Sequence, residues 1–246
     1  MVIDPMRIRY CLEKALYLAR SGRPGPCWLD IPLNVQGAFV ETEELPGFDA
    51  ADYEAGGNGW AGKDGGHGIP EDEAGKGEHR QVLPGKVDVS AARTIIDKIR
   101  AAKRPVINAG NGIRIAGAHD LFMDVAEKLG VPVITGWDSE DIMYDTHPQY
   151  VGRAAYMGDR PGNVAGQNSD LVLSIGSRMC IRQFVFNFDK WSSDDYLIVN
   201  DIDEEELKKP SVHSDMRVHA DAKDLLEQLD LVLDRVLAEE EGNLPE

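Results

Sequence analysis

Cysteine is scarce in this chain of 246 residues, with only Cys11, Cys27 and Cys180, and none of them stands in CxxC spacing. That excludes a cysteine zinc cluster and a disulfide framework, so the three thiols are expected to be reduced and structural. Positive charge is also short: 26 Lys and Arg face 43 Asp and Glu, a formal net charge of -17. A polyanion would be repelled, which excludes nucleic acid as a partner. No apolar run approaches the roughly 20 residues that a membrane span needs, and no basic, apolar, small-residue leader opens the sequence, so a cytoplasmic location is the expectation. Familiar catalytic spacings are absent too. His67, His79, His119, His147, His213 and His219 form no HExxH, and neither GxSxG nor GxxxxGK[ST] occurs. The histidines read as surface or satisfied core residues.

One stretch lacks aliphatic residues almost entirely. From about Pro46 to Gly85, Gly, Asp and Glu dominate, as in EAGGNGWAGKDGGHG, with no period of 2 or 3.6. Such a segment buries too little apolar area to offset the entropy of ordering it, and it reads as a linker that Phe48, Tyr53 and Trp60 could anchor at points. Lys63-Asp64-Gly65-Gly66 within it has the look of a magnesium motif, but without the leading Gly and a preceding strand it reads as linker. At the other end, Glu239, Glu240, Glu241 and Glu246 make an acidic tail.

Between linker and tail the pattern alternates. Ser90 can cap a helix carrying Ile95, Ile96 and Ile99; strands are expected over Arg104 to Ala109, Val131 to Thr135, Leu171 to Ile175, Tyr196 to Asn200 and Arg217 to His219. Helices are expected over Ala118 to Leu129 and from Ala222 to about Leu237. Continuous apolar runs such as Leu171-Val172-Leu173 mark buried parallel strands. The fold class is therefore α/β, a doubly wound, mainly parallel, Rossmann-like sheet, in which ligands sit outside the carboxyl ends of the strands.

The residues after those strands carry the candidate chemistry. Gly110, Asn111 and Gly112 could let backbone N–H groups approach a diphosphate or ribose, or could simply form a turn that needs positive φ. Thr135 and Gly136 offer a hydroxyl and a bare backbone. Arg178 and Arg182, four apart, would share one face of a helical turn and suit a diphosphate, or else pair with Asp201, Asp203 or Asp189. Asp201 and Asp221 each end a strand where acids accept from ribose hydroxyls.

The start of the chain belongs to a different pattern. Asp4 can cap a helix from Pro5 to Ala19 with Leu12, Ala15, Leu16 and Ala19 on one face, followed by a short strand Cys27 to Ile31. A lone helix and strand cannot make a core of their own, so they need a partner that the sequence does not supply. The string GRPGPCWLDIPLNVQ, Gly22 to Gln36, resembles the end of the pyrimidine-binding domain of thiamine diphosphate enzymes of the acetolactate synthase type. VINAGNGIR, GQNSDLVLSIGSR, NDIDEEELKKP and VHADAK follow in the order and approximate spacing of that family's middle domain.

The resemblance implies residues 1–36 as a remnant of the pyrimidine-binding domain, 37–86 as linker, 87–237 as the central Rossmann-like domain and 238–246 as acidic tail. It implies a whole enzyme that decarboxylates a 2-keto acid and joins the product to a second carbonyl, as a homodimer or homotetramer, with thiamine diphosphate and magnesium held on domains missing from this chain. The isolated chain would then be inactive, with no catalytic residues and no metal site of its own. An FAD or adenine nucleotide pocket would comprise Arg23, Gly110, Asn111, Gly112, Thr135, Gly136, Gly158, Arg178, Arg182, Asp201, Ile202, Asp221 and Ala222. Two departures stand out: Ala155-Tyr156-Met157-Gly158 replaces the family's GMHG, and Cys180-Ile181 replaces an acidic pair. A ligand-free structural or oligomerisation module and an NAD-dependent oxidoreductase domain are the alternatives.

Overall fold

The computed structural model describes residues 1–22, 24–62, 84–184 and 195–240. Arg23, Asp189, His67, His79 and Lys63 to Gly66 lie outside the described residues. The chain divides into two compact units, Met1–Val82 and Leu83–Glu246.

In the first unit, Asp4 caps a short 3-10 turn, accepting from Met6 N at 2.9 Å, and α1 (Ile8–Arg20) follows. The short helices α2 (Leu33–Gln36) and α3 (Ala50–Glu54) complete the unit's helices among the described residues. The expected strand from Cys27 to Ile31 is not formed. Those residues run without strand pairing, tied back by Val2 N donating to Asp30 O at 2.8 Å, because no neighbouring strand offers a ladder. The expected apolar face of α1 is also not its buried one: Leu12 and Leu16 are 51% and 59% exposed, whereas Tyr10 is buried.

What covers Tyr10 is the Gly-rich segment. Phe48 and Trp60 form an antiparallel bridge, and the Tyr10 ring lies 5.0 Å from Trp60 while Tyr17 lies 5.2 Å from Phe48 and Phe48 5.4 Å from Tyr53. Polar contacts fix the register: Tyr10 Oη donates to Asn58 O at 2.8 Å, and Glu13 accepts from Phe48 N at 2.7 Å. Aromatic pairs of this kind add stability beyond their buried area, which is how a segment with few aliphatics is ordered over residues 47–60.

The second unit is the parallel sheet. Its described elements are α4 (Val89–Ala101), β1 (Pro105–Ala109), α5 (Gly112–Ile115), α6 (His119–Leu129), β2 (Val133–Thr135), β3 (Tyr150–Arg153), α7 (Arg160–Gln167), β4 (Leu171–Ile175), α8 (Ile181–Phe184), β5 (Tyr196–Asp201), α9 (Glu204–Lys208), β6 (Met216–His219) and α10 (Ala222–Glu240). Strand order is β3-β2-β1-β4-β5-β6, every pairing parallel. The doubly wound α/β reading is therefore the fold, and the order reverses between β1 and β4.

Asp88, not Ser90, caps α4, its carboxylate accepting from Ser90 N at 2.6 Å. One sheet face is covered by α4, α6 and α10 through Ile95, Ile96, Phe122, Leu226, Leu229 and Leu233, all 4% exposed or less. The opposite face carries two smaller clusters, Val106, Ile134 and Ala154 beside α7, and Val172, Met179, Leu197, Val199 and Leu207 beside α9. Because strand side chains alternate, Asn108, Ser174 and Asp201 fall on this second face.

Candidate functional site at the carboxyl edge of the sheet

The crevice expected between β1 and β4 is tightly closed by backbone. Gly110 N donates to Ile175 O and Gly112 N to Gly176 O, each at 2.9 Å, so both amides are used within the fold. A Cβ on Gly110 would lie 2.3 Å from Gly176 O and 2.5 Å from Ser177 Cα; one on Gly112 would lie 2.7 Å from Gly176 Cα. Neither Gly110 nor Gly112 has positive φ; Gly176 does, at +59°. Neither sequence-based account of this turn holds for the conformation seen: the two glycines are required by the close approach of the loop after β4. Asn111 stands at the cap position before α5 and makes no side-chain cap bond.

Beside them a chain of side chains spans the sheet edge. Asn108 and Ser174 are direct register partners on β1 and β4, and Asn108 Nδ2 donates to Ser174 Oγ at 2.9 Å. Gln183 Nε2, from α8, donates to Asn108 Oδ1 at 2.5 Å, and Gln183 Oε1 accepts from Ser177 Oγ at 2.9 Å. Gln183 is 6% exposed. On the next strand, Thr135 is buried with its hydroxyl 3.3 Å from Tyr150 Oη. Gly136 N donates to Ser139 Oγ at 3.0 Å, and that hydroxyl donates to Ala109 O at 2.8 Å. Gly158 closes a turn after β3, donating to Ala155 O, where a Cβ would lie 2.3 Å from Arg153 O.

A separate small cleft, open to solvent and with room for only about one water molecule, about 10 Å³, lies where β4 and β5 end. Ser177, Arg178, Asp201, Glu206 and Lys209 line it over a floor that includes Val199 and Leu207. Asp201 is 5% exposed, and its Oδ1 accepts from Asp203 N at 2.9 Å, holding the turn into α9. Arg178 is 66% exposed and its ion pair is with Glu206; of the acids offered as the alternative to a diphosphate contact, Asp201 and Asp203 do not take it and Asp189 lies outside the described residues. Lys209 Nζ donates to Glu206 at 3.1 Å and also to the Arg178 carbonyl. Burial alone would push the Glu206 carboxyl up, but the hydrogen bonds from Lys209 and Arg178 outweigh it and hold the pKa below the usual glutamate range. The same Glu206 raises Arg178 further above its ordinary value. Two cations and two carboxylates leave the cleft with no net charge among these four groups.

The remaining predicted residues stand apart from this cleft. Arg182 is exposed on α8, its carbonyl accepting from Tyr156 N at 3.0 Å, and it does not line the cleft. The Ile202 carbonyl accepts from His219 Nε2 at 3.1 Å. Asp221 accepts from Lys223 N at 2.8 Å at the start of α10, and Ala222 is buried behind it. Sequence reasoning missed Gln183, Ser139 and Glu206, each of which has a partner far away in sequence: Asn108, Ala109 and Arg178. Among the described residues no three His, Cys, Asp or Glu side chains converge as a metal ion would need.

These facts test the fit of a dinucleotide. Its ribose could meet Asp201 in the cleft, but the loop after β1 has neither free amides at Gly110 and Gly112 nor space for a diphosphate. Asp201 thus offers a carboxylate where a ribose would lie, but the cleft as it stands is too small to hold a nucleoside, and the β1–β4 crevice does not fit a flavin dinucleotide.

Comparison with known proteins agrees with the fold. Residues 92–229 match the family model "Thiamine pyrophosphate enzyme, central domain". The acetolactate synthase large subunit of Corynebacterium glutamicum is 30% identical over 234 residues, 93% of this chain and 32% of that protein. The Lactococcus lactis large subunit is 30% identical over 89% of this chain and 33% of its own, and a probable acetolactate synthase large subunit of Methanococcus aeolicus is 27% identical over 91% and 33%. The chain thus spans about a third of the length of the curated relatives it matches.

Proposed function

Because the chain belongs to the thiamine pyrophosphate enzymes through their central domain, we propose that it works as that domain in a 2-keto acid decarboxylase and carboligase of the acetolactate synthase type. Thiamine diphosphate supplies the electron sink for such a reaction, and its binding groups and magnesium belong to other domains of the parent enzyme. This chain contributes no catalytic group. It contributes a nucleotide site, a wall of the assembled enzyme and subunit contacts in a homodimer or homotetramer.

The observation that carries the nucleotide reading is Asp201, a carboxylate 5% exposed at the end of β5 in a solvent-open cleft. Acids at this point of a doubly wound sheet accept from ribose hydroxyls. A neutral cleft suits a ribose and base better than it suits a diphosphate, which Arg178 alone would meet after leaving Glu206. The ligand of this reading is accordingly an adenine nucleotide held by its nucleoside end, admitted only as Arg178 parts from Glu206 and the cleft widens. The alternative ligand-free structural module is favoured by the use of the Gly110 and Gly112 amides inside the fold.

Calorimetric titration of the 246-residue chain with ADP decides between them. Arg178→Ala and Asp201→Asn should each weaken binding about ten- to a hundredfold, the loss of one charge-assisted contact. Arg160→Ala, on the exposed start of α7, should change it less than about twofold. Equal affinities for wild type and Arg178→Ala would remove Arg178 from the site, and no ADP binding by a folded chain would leave the structural module.

A further inference from the structure

The carboxyl edge of the sheet is closed within and apolar on its outside. Gly110 and Gly112 pack by backbone on Gly176 and Ser177, and the cleft beside β5 admits about one water. Around them Ile115 in α5, Trp137 after β2, Tyr156 and Met157 after β3, and Ile181 in α8 are 56%, 49%, 74%, 62% and 47% exposed. The connections that follow β3, β2, β1 and β4, four neighbouring strands of the sheet, thus each present a large apolar group at the same edge. Apolar residues scattered singly over a surface are ordinary, whereas a run of them along one edge marks an interaction site.

Cross-ties hold these loops together. Tyr156 N donates to Arg182 O at 3.0 Å, Gln183 Oε1 stands 3.7 Å from the place a Cβ on Gly136 would take, and Arg114, next to Ile115, pairs with Asp141 at 3.2 Å. A surface fixed in this way loses little conformational entropy on association. Its rim is charged with both signs. Arg114, Arg153 and Arg178 each have an acidic partner, but Arg160, Arg182 and Asp138 are exposed and their side chains make no ion pair or hydrogen bond among the described residues.

We propose that this edge is the contact through which two copies of the chain associate about a two-fold axis, with Trp137, Tyr156, Met157 and Ile181 at its apolar centre and Arg160, Arg182 and Asp138 on its rim. A two-fold contact sets a patch against itself, so a rim holding unpaired charges of both signs complements its own copy, where a rim of one sign would repel it. This matters in a chain of net charge -17. Aromatic residues, Met and Arg are also the types enriched in protein interfaces. Aromatic side chains carry roughly 150 to 250 Å² each, so five large apolar groups about half to three-quarters exposed offer on the order of 500 Å², and the charged rim brings the contact near the roughly 800 Å² per partner of a stable interface. The contact deepens the subunit role proposed above and rests on that reading, not on the nucleotide one.

Sedimentation equilibrium of the 246-residue chain over a concentration series, with circular dichroism to verify folding, is the test. Wild type should form a dimer with a Kd of about micromolar or tighter. Tyr156→Asp and Ile181→Asp alter exposed side chains and so should leave the fold intact, but each should raise Kd about thirtyfold or more, whereas Leu231→Ser, at an exposed position of α10, should change it less than about twofold. Cys180, exposed beside Ile181, reports which face is covered: its labelling by a maleimide should slow as the dimer forms, while that of the exposed Cys27 should not. A dimer that Tyr156→Asp and Ile181→Asp leave at the wild-type Kd, or one that protects Cys27 and not Cys180, overturns the inference and leaves the subunit role to another face. A wild type that stays monomeric at every concentration removes the inference and the subunit role of this chain together.

Discussion

Replacing Gly110 by alanine isolates the reason for the glycine turn after β1. The added methyl would meet three backbone atoms, Gly176 O at 2.3 Å, Gly176 C at 2.5 Å and Ser177 Cα at 2.5 Å, none of which can rotate away. One loop must therefore move, and the bonds Gly110 N to Ile175 O and Gly112 N to Gly176 O lengthen or break. Overpacking costs about 1 to 3 kcal/mol and each lost bond about 1 kcal/mol, so the expected loss is about 3 to 5 kcal/mol. Since a domain is stable by only about 5 to 15 kcal/mol, that corresponds to a fall in Tm of roughly 6 to 20 °C. Gly85→Ala is the matched control, because no atom lies within 4 Å of its Cβ position and its φ is not positive. It should be neutral, or stabilise by about 0.4 to 1 kcal/mol through the unfolded chain. Urea denaturation followed by far-UV circular dichroism reads both. A Gly110→Ala loss below about 1 kcal/mol would mean that the two loops do not pack as described and would return the turn to an open, ligand-facing role.

Three other outcomes are expected. Glu206 has a lowered pKa in the folded protein, so it stabilises above the ordinary glutamate range and that contribution is lost as pH falls through the folded value; Glu206→Gln should lower Tm at neutral pH and narrow the difference between neutral and about pH 4, and parallel curves for the two proteins would disprove the pairing. Asn200 is fully buried and its Nδ2 donates to Val218 O at 3.1 Å and Ala220 O at 2.8 Å, so Asn200→Asp, with no donor to offer, should cost about 3 to 5 kcal/mol by urea titration. Phe48→Ala removes the ring that joins Tyr10, Tyr17 and Tyr53 and should cost the first unit about 2 to 4 kcal/mol, read as loss of near-UV dichroism and faster proteolysis over residues 47–60; an unchanged digestion pattern would show that the aromatic cluster does not order that segment.

The sequence alone determined those parts of the protein whose physics is local. Continuous apolar runs produced β1, β4 and β5 because both faces of these strands are buried, and the 3.6-residue period marked α4, α6 and α10 because one face of each meets the sheet. Edge elements escaped it: β3 has only four residues with Gly152 at φ +130°, and α7 is short and contains Pro161, Gly162 and Gly166, residues that favour turns over helix. The tertiary structure alone decided which polar groups meet. Arg178 took Glu206 over nearer aspartates in the sequence, Gln183 took Asn108 from 75 residues away, and Phe48 covered Tyr10 from 38 residues away. A side chain's type states what it can bond to, but its partner is set by strand register and loop approach, and those follow from packing across the whole sheet.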